Sequence, residues 1–338
     1  MKISVLVLDG VFDSGLASVL DVFQTANELR GELPQPPPRW ELTCVSPQAG
    51  SRRGGDGGDG AGGGATVRTA AGHAVAVRRP EEADPPELLI VPGVAHKQPG
   101  PLVDWLAAPE RRADRELVER THAGGTELAA ACTGTFLLAD ADVLNGLPAT
   151  TSWWLSPLFR QRYPAVALDE SSMLTRAAGI TTAGAALAHL DLALALVRDR
   201  SPALADLAAR YLVVDSRPSQ ASYAIPEHLA RTDPTVAAFE RWVREHLDQP
   251  LRIADAARTL ATSERTLQRA LDRVLGISPL RFAQRIRLEQ AAHLLRTTDL
   301  PIETVARRVG YENATTLATL LRDRLGTTAG RLRREVGG

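Results

Sequence analysis

The chain has 338 residues, with 39 Lys and Arg against 40 Asp and Glu, a net charge of −1 and 44% hydrophobic residues. That length accommodates two domains with their own cores, and the apolar content excludes a wholly disordered chain. The two cysteines, Cys44 and Cys132, offer neither a disulfide framework nor zinc-ligand spacing, and no run of about 18 apolar residues is available to span a membrane.

Residues 3–8 (ISVLVL) form a short apolar run suited to a buried parallel strand. The start MKISVLVLDG reads as that strand and not as a signal peptide. Leu16, Leu20, Phe23 and Ala26 follow at helical spacing, and Trp40–Ser46 alternates like a strand. Residues 50–64 are glycine-rich and cannot pack a core; they read as a surface loop, with loose phosphate capture by Arg52 and Arg53 as the alternative. Glu87–Pro92 (ELLIVP) is a second buried-strand run, Leu102–His122 is helical in pattern, and Thr126–Ala131 is a strand leading into a sharp turn at Cys132-Thr133-Gly134. Strand and helix alternate to Val197, which predicts an α/β domain over 1–198: a parallel sheet covered by helices on both faces. Residues 199–231 read as a linker, and 232–338 as an all-α domain.

The last hundred residues repeat one pattern. Ile253–Gly276 and Ile302–Gly326 each show a short helix, a tight turn and a second helix with polar residues near its start. That is the outline of two helix-turn-helix units in tandem. From Thr232 onward there are 18 Arg and 13 Asp and Glu, a balance of +5, while the rest carries −6. The basic surplus therefore falls where phosphate contacts need it. In the first unit Ser263 suits a helix N-cap, and Leu267, Leu271 and Leu275 face inward. Arg265, Gln268 and Arg269 are left on another face, and these residue types suit base-edge reading. Arg273, one turn further on, is expected to meet phosphate.

Over about 235–335 the chain resembles the AraC/XylS family of bacterial transcription regulators. The resemblance rests on SERTLQRALDRVLGISPLRFAQRIRLEQAAHLL in the first unit and PIETVARRVGY in the second. It implies DNA contacts at Ser263, Arg265, Thr266, Gln268, Arg269 and Arg273, and in the second unit at Asn313, Ala314, Thr315, Ala318, Thr319 and Arg322. The second unit departs from the family pattern. Leu317, Leu321 and Leu325 stand where phenylalanine is usual, and Thr319 stands where arginine is common. It is expected to grip backbone mainly through Arg322 and Arg324.

Residues 2–198 resemble the PfpI and class I glutamine amidotransferase-like fold. ISVLVLDG, LLIVPG, AACTGTFLLADADVLNGLPATTSWW and TTAGAALAHLDLALALV carry that resemblance, and the fused arrangement resembles the GlxA-like group of AraC-type regulators. Cys132 sits at a nucleophile elbow beside a helix start. A cysteine nucleophile needs a base. Where the family commonly has histidine this chain has Ser152, and Gly15 stands where an acidic residue is frequent. His189 and Asp191 are expected to pack or to face solvent.

Cys132 has three readings: a small residue filling the turn, the lining of an effector pocket, or a redox-sensing thiol. The candidate pocket comprises Cys132, Thr133, Gly134, Ser152 and Trp153. No catalytic residue, metal site or cofactor is expected. The predicted function is a cytoplasmic, effector-responsive transcription regulator. Its partners are double-stranded promoter DNA, a small-molecule effector, a second copy of the chain and, for an activator, RNA polymerase; no membrane is involved. The alternative is a cysteine hydrolase or amidase-like enzyme with an accessory helical domain.

Overall fold

The computed structural model describes residues 1–49, 65–214, 220, 233–275, 277–325 and 327–334. The glycine-rich stretch 50–64, with Arg52 and Arg53, lies outside the described residues. The chain divides into two compact units, Met1–Tyr223 and Ala224–Gly338.

The first unit is built on a six-stranded sheet of β1 (Lys2–Leu6), β2 (Glu41–Val45), β3 (Leu88–Val91), β4 (Glu127–Ala131), β5 (Leu174–Ala177) and β6 (Ile180–Ala183). Its order is β2-β1-β3-β4-β6-β5. Every pairing is parallel except β6 with β5, an antiparallel edge. The uninterrupted apolar runs follow from burial on both faces. Successive side chains point to opposite sides. Ile3, Val5, Leu88, Ile90, Ala129 and Ala131 belong to one core, and Leu6, Leu89, Val91, Leu128 and Ala130 to the other. Helices Asp13–Leu29, Ala188–Arg200 and Pro202–Tyr211 supply the first core through Leu16, Phe23, Leu192 and Leu204. Helices Pro99–Ala107, Arg111–Ala123, Gly134–Asp140 and Ser156–Arg162 supply the second through Leu102, Val118, Phe136 and Phe159.

Two expectations change here. The helical pattern over 102–122 is two helices, broken between Ala107 and Arg111. Pro109 disfavours helical geometry at the residue before it and lacks an N–H to continue the ladder. The expected linker 199–231 begins with a packed helix. Ser201 caps it by accepting from Leu204 N, Pro202 takes the first turn, and Leu204, Ala205 and Ala208 are buried in the first core.

In the second unit seven helices are described: Pro234–Glu245, Ile253–Thr259, Glu264–Leu275, Pro279–Thr297, Ile302–Arg308, Ala314–Leu325 and Ala329–Arg334. Several of them start at side-chain caps. Asp233 accepts from Thr235 N at 2.8 Å, and Ser263 Oγ from Thr266 N at 3.0 Å. Asn313 Oδ1 accepts from Thr316 N at 2.8 Å. The long helix Pro279–Thr297 serves both halves. Phe282 meets Phe239 near its start, and Leu288, Ala291 and Leu295 join Val305, Leu317 and Leu321 in a second core.

Candidate nucleic-acid interface and elbow site

Helix Glu264–Leu275 separates its residues cleanly. Leu267, Ala270, Leu271, Val274 and Leu275 are buried. Arg265, Gln268 and Arg269 are exposed on the opposite side. Thr266 is exposed, with its hydroxyl 2.8 Å from Ser263 Oγ. An exposed pair of arginines flanking a glutamine presents bidentate donors and an amide to the outside, the chemistry that base edges and phosphates accept. Arg273 is exposed and makes an ion pair. Its Nη2 donates to Asp233 Oδ2 at 2.5 Å, so the guanidinium is engaged with the cap of helix Pro234–Glu245. That bond and the two backbone donors hold the Asp233 carboxyl below the usual range, against the opposing effect of burial.

Helix Ala314–Leu325 buries Leu317 and Leu321 and exposes Thr315, Thr319 and Arg322. Ala314 and Ala318 are half-buried, and Asn313 is exposed as the cap. Leucine therefore fills the core positions where phenylalanine is usual in the resembled family. The exposed start of this helix is uncharged.

The two halves are locked by Arg287 on the long helix. It is only 5% exposed, and it donates from Nη1 to Gly310 O at 3.3 Å and from Nη2 to Gln249 O. Sequence pattern alone did not single it out. A buried arginine among the apolar positions of an amphipathic helix is the available signal.

The family model described as a helix-turn-helix domain matches residues 256–335. It therefore spans both reading helices, their turns and the helix joining them. The helical unit is an AraC-type helix-turn-helix domain. This domain follows the α/β unit described above. The chain is 27% identical over 216 residues to the HTH-type transcriptional regulator CdhR of Pseudomonas aeruginosa, covering 63% of this chain and 60% of that protein. It is 24% identical over 243 residues to the HTH-type transcriptional regulator GlxA of Rhizobium meliloti, covering 70% of this chain and 74% of that one. An alignment of that length exceeds either unit alone and so runs across both. A ThiJ/PfpI family protein from Pseudomonas syringae is 18% identical, with a TM-score of 0.49, covering 77% of this chain and 90% of that structure. The chain spans less than two thirds of the length of several of the curated relatives it matches.

In the α/β unit, Cys132 adopts the left-handed conformation at φ 59° between β4 and helix Gly134–Asp140. Such a conformation costs a non-glycine residue about 1–2 kcal/mol, and the neighbouring bonds hold it. Cys132 N donates to Ala183 O at 3.0 Å, and Thr151 Oγ1 donates to Cys132 O at 2.6 Å. Thr133 Oγ1 bonds both the N–H and the carbonyl of Val94. Gly134 lets the helix start lie directly on the Val91 carbonyl, where a Cβ would collide. The Cys132 thiol is 2.9 Å from Ser152 Oγ. Burial raises the thiol pKa, outweighing the hydrogen bonds from Ser152 and Thr133 that favour the thiolate.

Cys132, Thr133, Gly134 and Ser152 therefore converge, all buried, while Trp153 is half-buried and stacks edge-on against Trp154. A cavity of about 210 Å³ elsewhere in this unit is lined by Val45, Pro80, Leu89, Leu117 and Arg120 and by none of the five expected pocket residues. His189 is fully buried, as is Asp191 for the most part, so neither faces solvent. Gly93 N donates to His189 Nε2 at 3.0 Å, and Nδ1 is 2.5 Å from Ala186 O. A carbonyl only accepts, so Nδ1 carries the proton and Nε2 offers its lone pair to Gly93. A Cβ on Gly15 would sit 2.8 Å from the ring, so the histidine fills the space that a side chain at position 15 would need. The absence of a side chain at Gly15 is the signal in the sequence that something else occupies that volume.

Proposed function

We propose that the chain is a sequence-specific, DNA-binding transcription regulator whose PfpI-like unit responds to a small-molecule effector. The observation that carries this reading is the exposed Arg265, Gln268 and Arg269 face opposite a buried Leu267 and Leu271. Ser263, Thr266, Arg273, Asn313, Ala314, Thr315, Ala318, Thr319 and Arg322 complete the contact set, with the second helix contributing shape and backbone contacts more than base hydrogen bonds. The AraC-type domain supports DNA as partner. A second copy of the chain and RNA polymerase are further proposed partners, and the cytoplasm the proposed location.

The test is a gel-shift titration of the full chain on an operator and on bulk DNA at one stated salt concentration. Arg269→Ala is expected to cost about 1–3 kcal/mol, concentrated at one base position. A loss spread evenly over all sequences would reduce Arg269 to a phosphate contact. No preference for any operator, with or without ligands, would overturn the regulatory reading.

We read the unit as non-catalytic. Three features support this: burial disfavours the Cys132 thiolate, Ser152 stands at its side in place of a base, and the lone pair of His189 is taken by Gly93. Cys132 is expected to react more slowly with iodoacetamide at pH 7.5 than a free cysteine. Fast alkylation, joined to a hydrolytic turnover lost in Cys132→Ser, would restore the enzyme reading.

A further inference from the structure

The regulatory reading leaves one buried polar residue of the first unit unexplained. Gln220 has no exposed surface. It lies in sequence between the helix Pro202–Tyr211 and the Asp233 cap of the helical unit. Its backbone N–H donates to Ser171 O at 3.0 Å. Its side-chain Nε2 donates to Thr151 O at 2.9 Å, Thr150 Oγ1 at 3.0 Å and Ser172 O at 3.3 Å. Two of these partners are carbonyls, which fixes the protonated end of the amide. The plane of the amide rests on Gly184, where a Cβ would come within 2.6 Å of Cδ, Nε2 and Oε1. Oε1 is buried without a hydrogen-bond partner among the described residues. An unpaired buried acceptor is a standing cost, so the docked side chain is only half satisfied.

The receiving groups are held by bonds that do not involve Gln220. Thr150 N donates to Thr182 Oγ1 at 2.8 Å, and Thr135 Oγ1 donates to Thr150 O at 3.1 Å. Asp169 accepts from Ser171 N and Ser172 N, and Thr151 is tied to Cys132 O. Three acceptors converge at one end, a flat glycine face lies alongside, and a fixed frame stands behind. That is a built site for a primary amide. The next residue in the same segment, Ser152, is the partner of the Cys132 thiol.

We propose that this acceptor cluster is a ligand site for a small molecule bearing a primary carboxamide, occupied in this structure by Gln220, and that displacing Gln220 changes the DNA affinity of the helical unit. The second half of the proposal rests on the regulatory reading above. Gln220 is docked in the α/β unit and precedes the DNA-binding helices in sequence. A ligand whose carbonyl also finds a donor gains what Gln220 lacks, and the population shifts toward chains with the Gln220 side chain displaced.

The full chain tests this with Gln220→Ala, which removes the equivalent of acetamide, and with acetamide as the probe. Hydrogen exchange at residue 220 and at 171–173 is expected to quicken about tenfold in the variant, the loss of one to two net hydrogen bonds. Acetamide at high concentration should slow exchange at 171–173 in the variant and raise its melting temperature. In the wild type it should instead quicken exchange at residue 220. Gln220→Glu, similar in shape without the N–H donors, should behave like the alanine variant. Operator affinity of Gln220→Ala should differ from wild type by about fivefold or more. Exchange and melting unchanged in both variants, or no response of Gln220→Ala to acetamide, would overturn the site. A released residue 220 with unaltered operator affinity would overturn the relay. If none of the proteins prefers an operator to bulk DNA, the regulatory reading and the relay fall together, while the exchange results still decide the site.

Discussion

Replacing Gly310 by alanine is expected to cost the helical unit about 3 kcal/mol or more of stability. Gly310 closes the turn between helix Ile302–Arg308 and helix Ala314–Leu325 at φ +76°. An L side chain there is strained by about 1–2 kcal/mol before any contact is considered. A Cβ would also strike Leu247 O, a backbone atom that cannot swing aside, and approach the Arg287 guanidinium at 2.7 Å. Arg287 cannot retreat cheaply, because it spans Gly310 O and Gln249 O and its Nε is already unpartnered. A few tenths of an ångström of forced movement in a packed core typically costs a further 1–3 kcal/mol. Urea denaturation of the full chain, followed by exchange of amides in 233–334, measures the effect. Gly330→Ala is the control, since no atom lies within 4 Å of a Cβ there and that glycine starts no left-handed turn. Equal stability of the two variants would show that the Leu247, Arg287 and Gly310 junction yields easily. Operator affinity should fall in Gly310→Ala even below its melting temperature, because the same junction sets how the two reading helices stand to each other within the unit.

That junction shows where sequence reading stops. The helix-turn-helix pattern is local: the cap at Ser263 and the leucines at helical spacing are visible within a dozen residues. The buried bond from Arg287 to two loops is set by residues 38 and 23 positions away, and periodicity carries no information about such partners. Arg273 shows the same limit: its ion pair with Asp233, 40 residues earlier in the chain, has no local signature.

In the α/β unit the strands were legible because parallel strands buried on both faces read as unbroken apolar runs. The elbow was legible because Cys132-Thr133-Gly134 is a local turn signature. The end of the unit was not. Helix Pro202–Tyr211 reads in the sequence only as a short helical patch within a proline-bearing segment, and its docking through Leu204 and Ala208 reveals it as core. Gln220 could not be found from sequence at all, since nothing near it in the chain marks a polar residue as buried.

Acid should weaken the wild-type chain more than a chain lacking His189. Burial of the ring lowers its pKa from the usual 6.5 to about 4, with the bond to Ala186 O opposing the shift slightly. The folded chain therefore keeps His189 neutral through a range in which the unfolded chain protonates it. Between pH 6.5 and about 4 the unfolded state binds more protons, so stability falls as pH falls across that window. Taken over the whole window the effect is about 3 kcal/mol. Unfolding free energies of wild type and His189→Gln, measured from pH 7.5 down to 4, should converge or cross, since only the wild type pays to exclude the proton. Parallel profiles would mean that the ring takes up a proton without losing its bonds, which the carbonyl at one nitrogen and the N–H at the other do not permit. Protonation would set Nε2–H against the Gly93 N–H, which sits beside Thr133 and the elbow. The first region to loosen in acid should therefore be residues 91–94 and 132–134, and hydrogen exchange at pH 5 would locate it.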